Sequence, residues 1–136
     1  MPTPFQLDIL TPERAFYSGP AEGVAVITPD GELCVLAMHA PLVTPLEIGS
    51  IRLNIAGQWK EAFLSGGFME VGHSRTVVFA QACEWPGEID ANRAAAAEQR
   101  ERERLRQRTS IREQKSSQIA LARAMARLRV TRGQVK

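Results

Sequence analysis

Residues 88–136 contain no proline, no aromatic residue and a single glycine, Gly133. That combination excludes turn-rich β structure there and leaves helix as the state favoured by the many alanines and arginines. The missing aromatic rings also remove the surface on which single-stranded nucleic acid stacks. Cysteine is scarce throughout. Cys34 and Cys83 show no metal-ligand spacing and read as reduced, partly buried thiols. No apolar run approaches the ~20 residues that a membrane-spanning helix requires. Asp8 and Glu13 come early, and no basic start leads into an apolar stretch, so the N-terminus does not read as a secretory leader. Phosphate-cradling glycine loops, CxxC pairs and HExxH are all absent. His39 and His73 lie in separate breaker-rich segments and suggest contact or turn positions, not a catalytic pair.

What is present divides at residue 88. The 136 residues suffice for one or two small domains. Residues 1–87 carry 4 basic against 9 acidic side chains, and residues 88–136 carry 13 against 6, giving −5 and +7. Such a split suits halves that meet different partners, or each other.

The first half alternates short strand patterns with turn signals. Phe5, Leu7 and Ile9 have a near period of two, interrupted at Thr11-Pro12. Gly19-Pro20 reads as a turn, residues 24–28 as a strand, Pro29-Asp30-Gly31 as a turn, and residues 33–37 as a strand. His39-Ala40-Pro41-Leu42 reads as irregular. Ile51, Leu53 and Ile55 lead through Ala56-Gly57-Gln58 into residues 59–64 as a hairpin. Gly66-Gly67 and Gly72-His73-Ser74 read as breaks on either side of residues 68–71, before a last strand over residues 76–80. The spacing predicts an antiparallel β-sandwich or flattened barrel of about eight to ten strands.

In the second half, Asp90 is placed to cap a helix that runs to about Arg108. Ser110 and Glu113 have capping-box spacing and start a second helix to about Val130. Leu121, Ala124, Met125 and Leu128 form its apolar face, and alanines at 94, 97, 122 and 126 allow close helix approach. This is an αα-hairpin. Its apolar face is thin, so the hairpin is expected to be marginal alone and to dock on a partner. Arg100, Arg104 and Arg108 repeat at i+4, as do Arg123 and Arg127. Like charges at that spacing disfavour a helix. They leave open a solvated face, nucleic acid, or a compensating anion, which would be an acidic protein surface or a nucleotide. The lack of aromatics and the acidic first half argue against nucleic acid. The class is therefore α+β, with a sandwich over residues 1–87 and a helical hairpin over residues 88–136.

Several segments occur in a telling order: Leu7-Asp8-Ile9-Leu10-Thr11-Pro12-Glu13-Arg14, Asp30-Gly31-Glu32-Leu33, His39-Ala40-Pro41-Leu42 and Ser65-Gly66-Gly67-Phe68. Glu88-Ile89-Asp90-Ala91-Asn92-Arg93-Ala94 and Ala126-Arg127-Leu128-Arg129-Val130 follow. Together they resemble the epsilon subunits of F-type ATP synthases over nearly the whole chain. The resemblance implies a non-catalytic subunit of the rotor that couples ion flow to ATP synthesis on other subunits. It implies contact with the gamma subunit and, through loops carrying Glu32 and His39, with the ring of c subunits. It implies a hairpin that either folds against the sandwich or extends toward the alpha and beta subunits. Extended, its basic residues (Arg104, Arg108, Arg112, Arg123 and Arg127) would block hydrolysis. It further implies regulatory ATP at Ile89-Asp90-x-x-Arg93-Ala94, with Glu84, Arg100, Arg123 and Arg127 completing the set, and no other cofactor. The implied place is the cytoplasmic face of a bacterial inner membrane, reached only through the complex, with a thylakoid membrane as the alternative. A freestanding sandwich with a basic nucleic-acid-binding tail is the rival reading.

Overall fold

The computed structural model describes residues 3–107 and 110–132. Eight strands precede two helices. The strands are β1 (Phe5–Leu10), β2 (Ala15–Ala21), β3 (Gly23–Thr28), β4 (Gly31–Val35), β5 (Leu42–Ile55), β6 (Gln58–Val71), β7 (Arg75–Ala80) and β8 (Cys83–Glu84). A single 3-10 turn, Pro86–Glu88, leads to α1 (Ala91–Arg106) and α2 (Ile111–Arg132).

The strands follow the order β2-β1-β7-β6-β5-β3-β4, with β8 on β6. Because β5 and β6 are each 14 residues long, they serve two layers. Val43 to Leu46 of β5 pairs with the end of β6, which also carries β7, whereas Arg52 to Asn54 of β5 pairs with both β3 and the start of β6. The layers enclose Leu7, Ile9, Val24, Val26, Val35, Ile51, Leu53, Leu64, Met69 and Val78, all fully buried. Burial pushes the Cys83 thiol up to about 12, so this cysteine is an inert part of the core.

Four strand expectations change. The sheet is mixed, because β1 and β7 run parallel. Gly19-Pro20 lies within β2, not in a turn. β2 is an edge strand, where a residue without an N–H is tolerated. Gly66-Gly67 does not break the chain, since β6 runs through both with φ of 95° and 141°. These glycines let one strand bend between the two layers. The strand expected over residues 33–37 sits two residues earlier, at Gly31–Val35.

Asp8 ties three strands of one layer together. Its carboxylate accepts from Ser18 Oγ at 2.5 Å on β2, from Arg75 Nε at 2.5 Å on β7, and from Gln6 Nε2 at 3.1 Å. The Ser18 hydrogen bond, helped by Arg75, holds this carboxyl below its usual range despite burial.

Among the described residues, two non-glycine residues have positive φ, Met38 at 68° and Ala56 at 53°. Ala56-Gly57 is the two-residue turn of the β5–β6 hairpin, whose primed geometry demands positive φ at both positions. Met38 stands third in a turn closed by His39 N donating to Leu36 O at 3.3 Å. That position favours glycine or asparagine, and another residue there costs about 1–2 kcal/mol.

The hairpin buries two stripes of α2. Ser117, Ala124 and Leu128 form one, on the side that meets α1; Met125 Sδ there accepts from Arg102 Nη2 of α1 at 3.8 Å. Of the face expected from sequence, Ala124 and Leu128 are buried, whereas Leu121 and Met125 are half-buried. The other stripe, Ala126 and Val130, covers Phe63 on the outer side of β6, with Ile48 and Ile89 alongside. It joins the hairpin to the sandwich and was not legible as an apolar face. Glu101, 4% exposed, is buried on α1. Its Oε1 accepts from Arg104 at 2.9 Å, while Oε2 is buried without a partner among the described residues.

Candidate functional site

The site is the junction where the hairpin leaves the sandwich and folds back on it. The sandwich side is pinned. Glu88 accepts from Arg14 Nη1 and Nη2, both at 2.8 Å, and from Trp85 N at 2.8 Å. The Arg14 bonds, then the Trp85 amide, hold the Glu88 carboxyl below its ordinary range, and the same Glu88 hydrogen bonds raise Arg14 above its own. Trp85 packs on Phe16 at 4.5 Å between centroids, and Arg14 sits over the same Phe16 ring. The helical side starts abruptly. Asp90 is the N-cap, its Oδ1 accepting from Arg93 N at 3.1 Å. Ile89 and Asp90 are both extended, so two residues separate a pinned segment from a rigid helix. These two residues form the link between the sandwich and the hairpin.

The hairpin is held down by two arginines one turn apart on α2. Arg127 donates from Nε and Nη2 to the two oxygens of Glu84 on β8, at 3.0 and 3.1 Å. Its guanidinium lies 4.6 Å from the centre of the Phe63 ring. Arg123 donates from Nε to Ser65 Oγ at 2.8 Å and from Nη2 to Gln81 Oε1 at 3.1 Å. The Arg127–Glu84 pair is a half-buried, two-pronged ion pair, stronger and more directional than a lysine could make. Arg123, by contrast, meets only neutral acceptors among the described residues.

The structure thus brings Glu84, Ile89, Arg123 and Arg127 to one junction, with Asp90 at its edge. Ala94 is buried on α1. The Arg93 and Arg100 side chains are exposed on α1. Among the described residues, no hydrogen bond or ion pair joins either to α2, and Arg100 lies 3.8 Å from its neighbour Glu101. The basic residues expected to act in an extended hairpin also divide. Arg104 and Arg112 are exposed toward its free end, Arg123 and Arg127 are engaged, and Arg108 lies outside the described residues. Glu32 and His39 occupy β4 and the following loop. Glu32 pairs with Arg52, and His39 Nδ1 lies 2.7 Å from Ala40 O. An open groove of about 380 Å³ runs between Trp59, Trp85 and Val130 beside this link, and none of these arginines lines it.

The model of the ATP synthase delta/epsilon chain β-sandwich domain matches residues 4–86, and that of the long α-helix domain of the same chain matches residues 88–132. The chain belongs to the ATP synthase delta/epsilon family. It is 46% identical to the ATP synthase epsilon chain of Caldanaerobacter subterraneus subsp. tengcongensis over 93% of its length and 92% of that protein's. It is 47% identical to that of Ruminiclostridium cellulolyticum, over 93% and 95%. In fold it resembles a chain of the Euglena gracilis mitochondrial ATP synthase, with a TM-score of 0.81 at 22% identity, covering 93% of this chain and 80% of that one. A chain from the central stalk and c-ring of the Tetrahymena thermophila mitochondrial enzyme gives a TM-score of 0.65 at 10% identity, over 93% and 95%. The protein is therefore an epsilon subunit with the sandwich and two C-terminal helices of its family, and the nucleic-acid reading is not favoured. Among the described residues no helix is long and apolar enough to cross a membrane.

Sequence reasoning missed four residues of this epsilon junction: Arg14, Phe63, Ser65 and Gln81. Arg14 and Glu88 have opposite charges and both sit in family-like segments, but 74 residues separate them. Phe63 sits among apolar neighbours that face the opposite side of the sheet.

Proposed function

We propose that this epsilon subunit is a hinged regulator on the central stalk of its ATP synthase, on the cytoplasmic side of a bacterial membrane. In this reading the sandwich binds gamma and the c-ring, and the hairpin restrains ATP hydrolysis when it leaves the sandwich. The observation that carries the proposal is the pair of α2 arginines clasped to Glu84, Ser65 and Gln81. Docked, the hairpin hides two of the cations that an extended hairpin would offer to acidic segments of alpha and beta. The two states then exclude one another by using the same charges. The sandwich offers a surface for gamma in the stacked Phe68–Phe79 pair, 4.9 Å between centroids, with Val43 nearby on β5. These side chains are 46%, 37% and 67% exposed, more apolar surface than a free sheet face needs.

Regulatory ATP is part of the same proposal, and the cationic side chains of α1 and α2 support it. Arg93 makes no ion pair among the described residues, Arg100 shares Glu101 with Arg104, and Arg123 meets neutral partners. These three carry the charge that would hold phosphates. Arg127, neutralised by Glu84, positions α2 against the sandwich. In this reading Ile89 and the Asp90 backbone would read the base. Bound ATP would favour the docked hairpin, by about 2.7 kcal/mol at 100 times its dissociation constant.

Titration of the isolated chain with ATP, followed by its melting temperature, tests the ligand. The midpoint should rise with nucleotide, and the rise should disappear in Arg123→Ala. An unchanged midpoint at millimolar ATP would remove nucleotide from the account.

A further inference from the structure

Arg14 belongs to the sandwich, yet it reaches both ends of the short segment that receives the hairpin. It closes the turn between β1 and β2, where its amide donates to Thr11 Oγ1 at 3.1 Å and its carbonyl accepts from Thr11 N at 2.9 Å. The backbone beneath the guanidinium is therefore fixed. Nη2 donates to Cys83 O at 3.2 Å, and Nη1 and Nη2 each donate to Glu88 at 2.8 Å. One side chain thus spans residues 83–88. Among the described residues, no hydrogen bond or ion pair joins it to either helix.

The spanned segment is short of other support. β8 is two residues long and pairs with β6 alone, well below the usual length of a strand. Ala82 O accepts from Ser65 N at 2.9 Å. Alternation along an antiparallel pair then turns the next carbonyl, Cys83 O, away from β6. Arg14 meets it on that open side, where a further strand would otherwise lie. The next residue is Glu84, which Arg127 of α2 grips with two hydrogen bonds, at 3.0 and 3.1 Å. After Glu84 the chain turns, so that Glu88 accepts from Trp85 N at 2.8 Å and presents its carboxylate to Arg14.

We infer that Arg14 is a positioning residue for docking of the hairpin: by stapling Cys83 to Glu88 it holds Glu84 in the geometry that Arg127 grips. The inference rests on the docked hairpin of the proposed function and adds a residue that acts on it through Glu84. A two-pronged ion pair tolerates little misplacement, because both N–H donors must stay aligned with both oxygens. Arginine suits the staple itself for a related reason. Its planar fork meets a carbonyl and a carboxylate at once, which a lysine ammonium on a flexible stem does with less direction.

A double-mutant cycle tests the inference. Arg14 and Arg127 share no bond, so independent contributions to docking would multiply, whereas contributions made through Glu84 would not. The readout in the full chain is tryptic cleavage at Arg123, a site held against the sandwich that neither substitution removes, with the sandwich melting temperature recorded beside it. Arg14→Ala and Arg127→Ala should each speed cleavage roughly five-fold, and the double variant should stay within about two-fold of Arg127→Ala. Arg14→Lys keeps the charge but not the fork, so it should also speed cleavage. The same cycle built on Arg14→Lys serves if alanine unfolds the sandwich. Wild-type cleavage in both Arg14 variants overturns the inference. A double variant at the product of the two single effects also overturns it, because Arg14 would then support the sandwich without acting through Glu84; the docked hairpin of the proposed function would stand. Wild-type cleavage in Arg127→Ala would remove the Arg127–Glu84 clasp itself, and both readings with it.

Discussion

Replacing Phe63 by alanine is expected to free the helical hairpin while the sandwich stays folded. Phe63 is fully buried, yet it does not belong to the core between the layers. It lies on the outer side of β6 beneath Ala126 and Val130, with the Arg127 guanidinium on its ring. Removing the ring therefore weakens docking of α2 and leaves the inner core intact. Burying one such side chain contributes about 1.5–3 kcal/mol, and about 1.4 kcal/mol is a factor of ten, so the undocked population should rise on the order of 10- to 100-fold. The readout is limited tryptic cleavage, since arginines line both helices. Where opening and closing are fast against cleavage, the rate follows that population. Faster hairpin cleavage with an unchanged sandwich melting temperature is the expected pair of results. A lowered sandwich midpoint with wild-type cleavage would mean that Phe63 supports the wrong domain for this account.

Gly67→Ala should have the opposite profile, with loss of the sandwich itself. An added Cβ would lie 1.9 Å from the Phe79 carbonyl oxygen and 3.0 Å from Ala80 Cα, both backbone atoms of the neighbouring strand. The position also has φ of 141°, where an L side chain is strained whatever the space. Backbone in a paired strand does not move aside as a flexible side chain can. β6 and β7 would have to separate at the Gly67–Ala80 pair. The cost should exceed about 4 kcal/mol, against a total stability of roughly 5–15 kcal/mol for a domain. The variant should be largely insoluble, or melt more than about 10 °C lower. Gly57→Ala is the control. That glycine also has positive φ but faces open space, so the variant should lose only about 1–2 kcal/mol. Equal effects at the two positions would show that backbone conformation, not the approach of β7, makes Gly67 essential.

Much of this organisation was legible in the sequence, and the rest was hidden for identifiable reasons. The β-to-α change at residue 88, the Asp90 cap and the Ser110 cap are local signals, and each holds, with Glu113 N donating to Ser110 Oγ at 3.2 Å. Glycine and proline misled where they serve a sheet and not a turn. Pro20 sits on an edge and Gly66-Gly67 sits in a bend, and neither context can be read from neighbouring residues. Parallel pairing of β1 with β7 is a long-range choice with no local mark. At the junction, the arginines and Glu84 were suggested only by family resemblance. The second buried stripe of α2 escaped detection because alanine, arginine and one valine build it, so its hydropathy resembles that of a solvated face. Its apolar partner, Phe63, is on another domain. The charge split of the two halves left open different partners or mutual contact, and Glu84–Arg127 is one such mutual contact.

In the proposed function the helical hairpin is a detachable restraint on hydrolysis, stored against the sandwich by Glu84, Arg123 and Arg127. The most direct test compares ATP hydrolysis by the assembled synthase containing the full subunit with that of the same complex containing only residues 1–87. The rate should be several-fold higher with the shortened subunit, while that subunit remains bound to the central stalk. An equal rate, with the shortened subunit still bound, would contradict it.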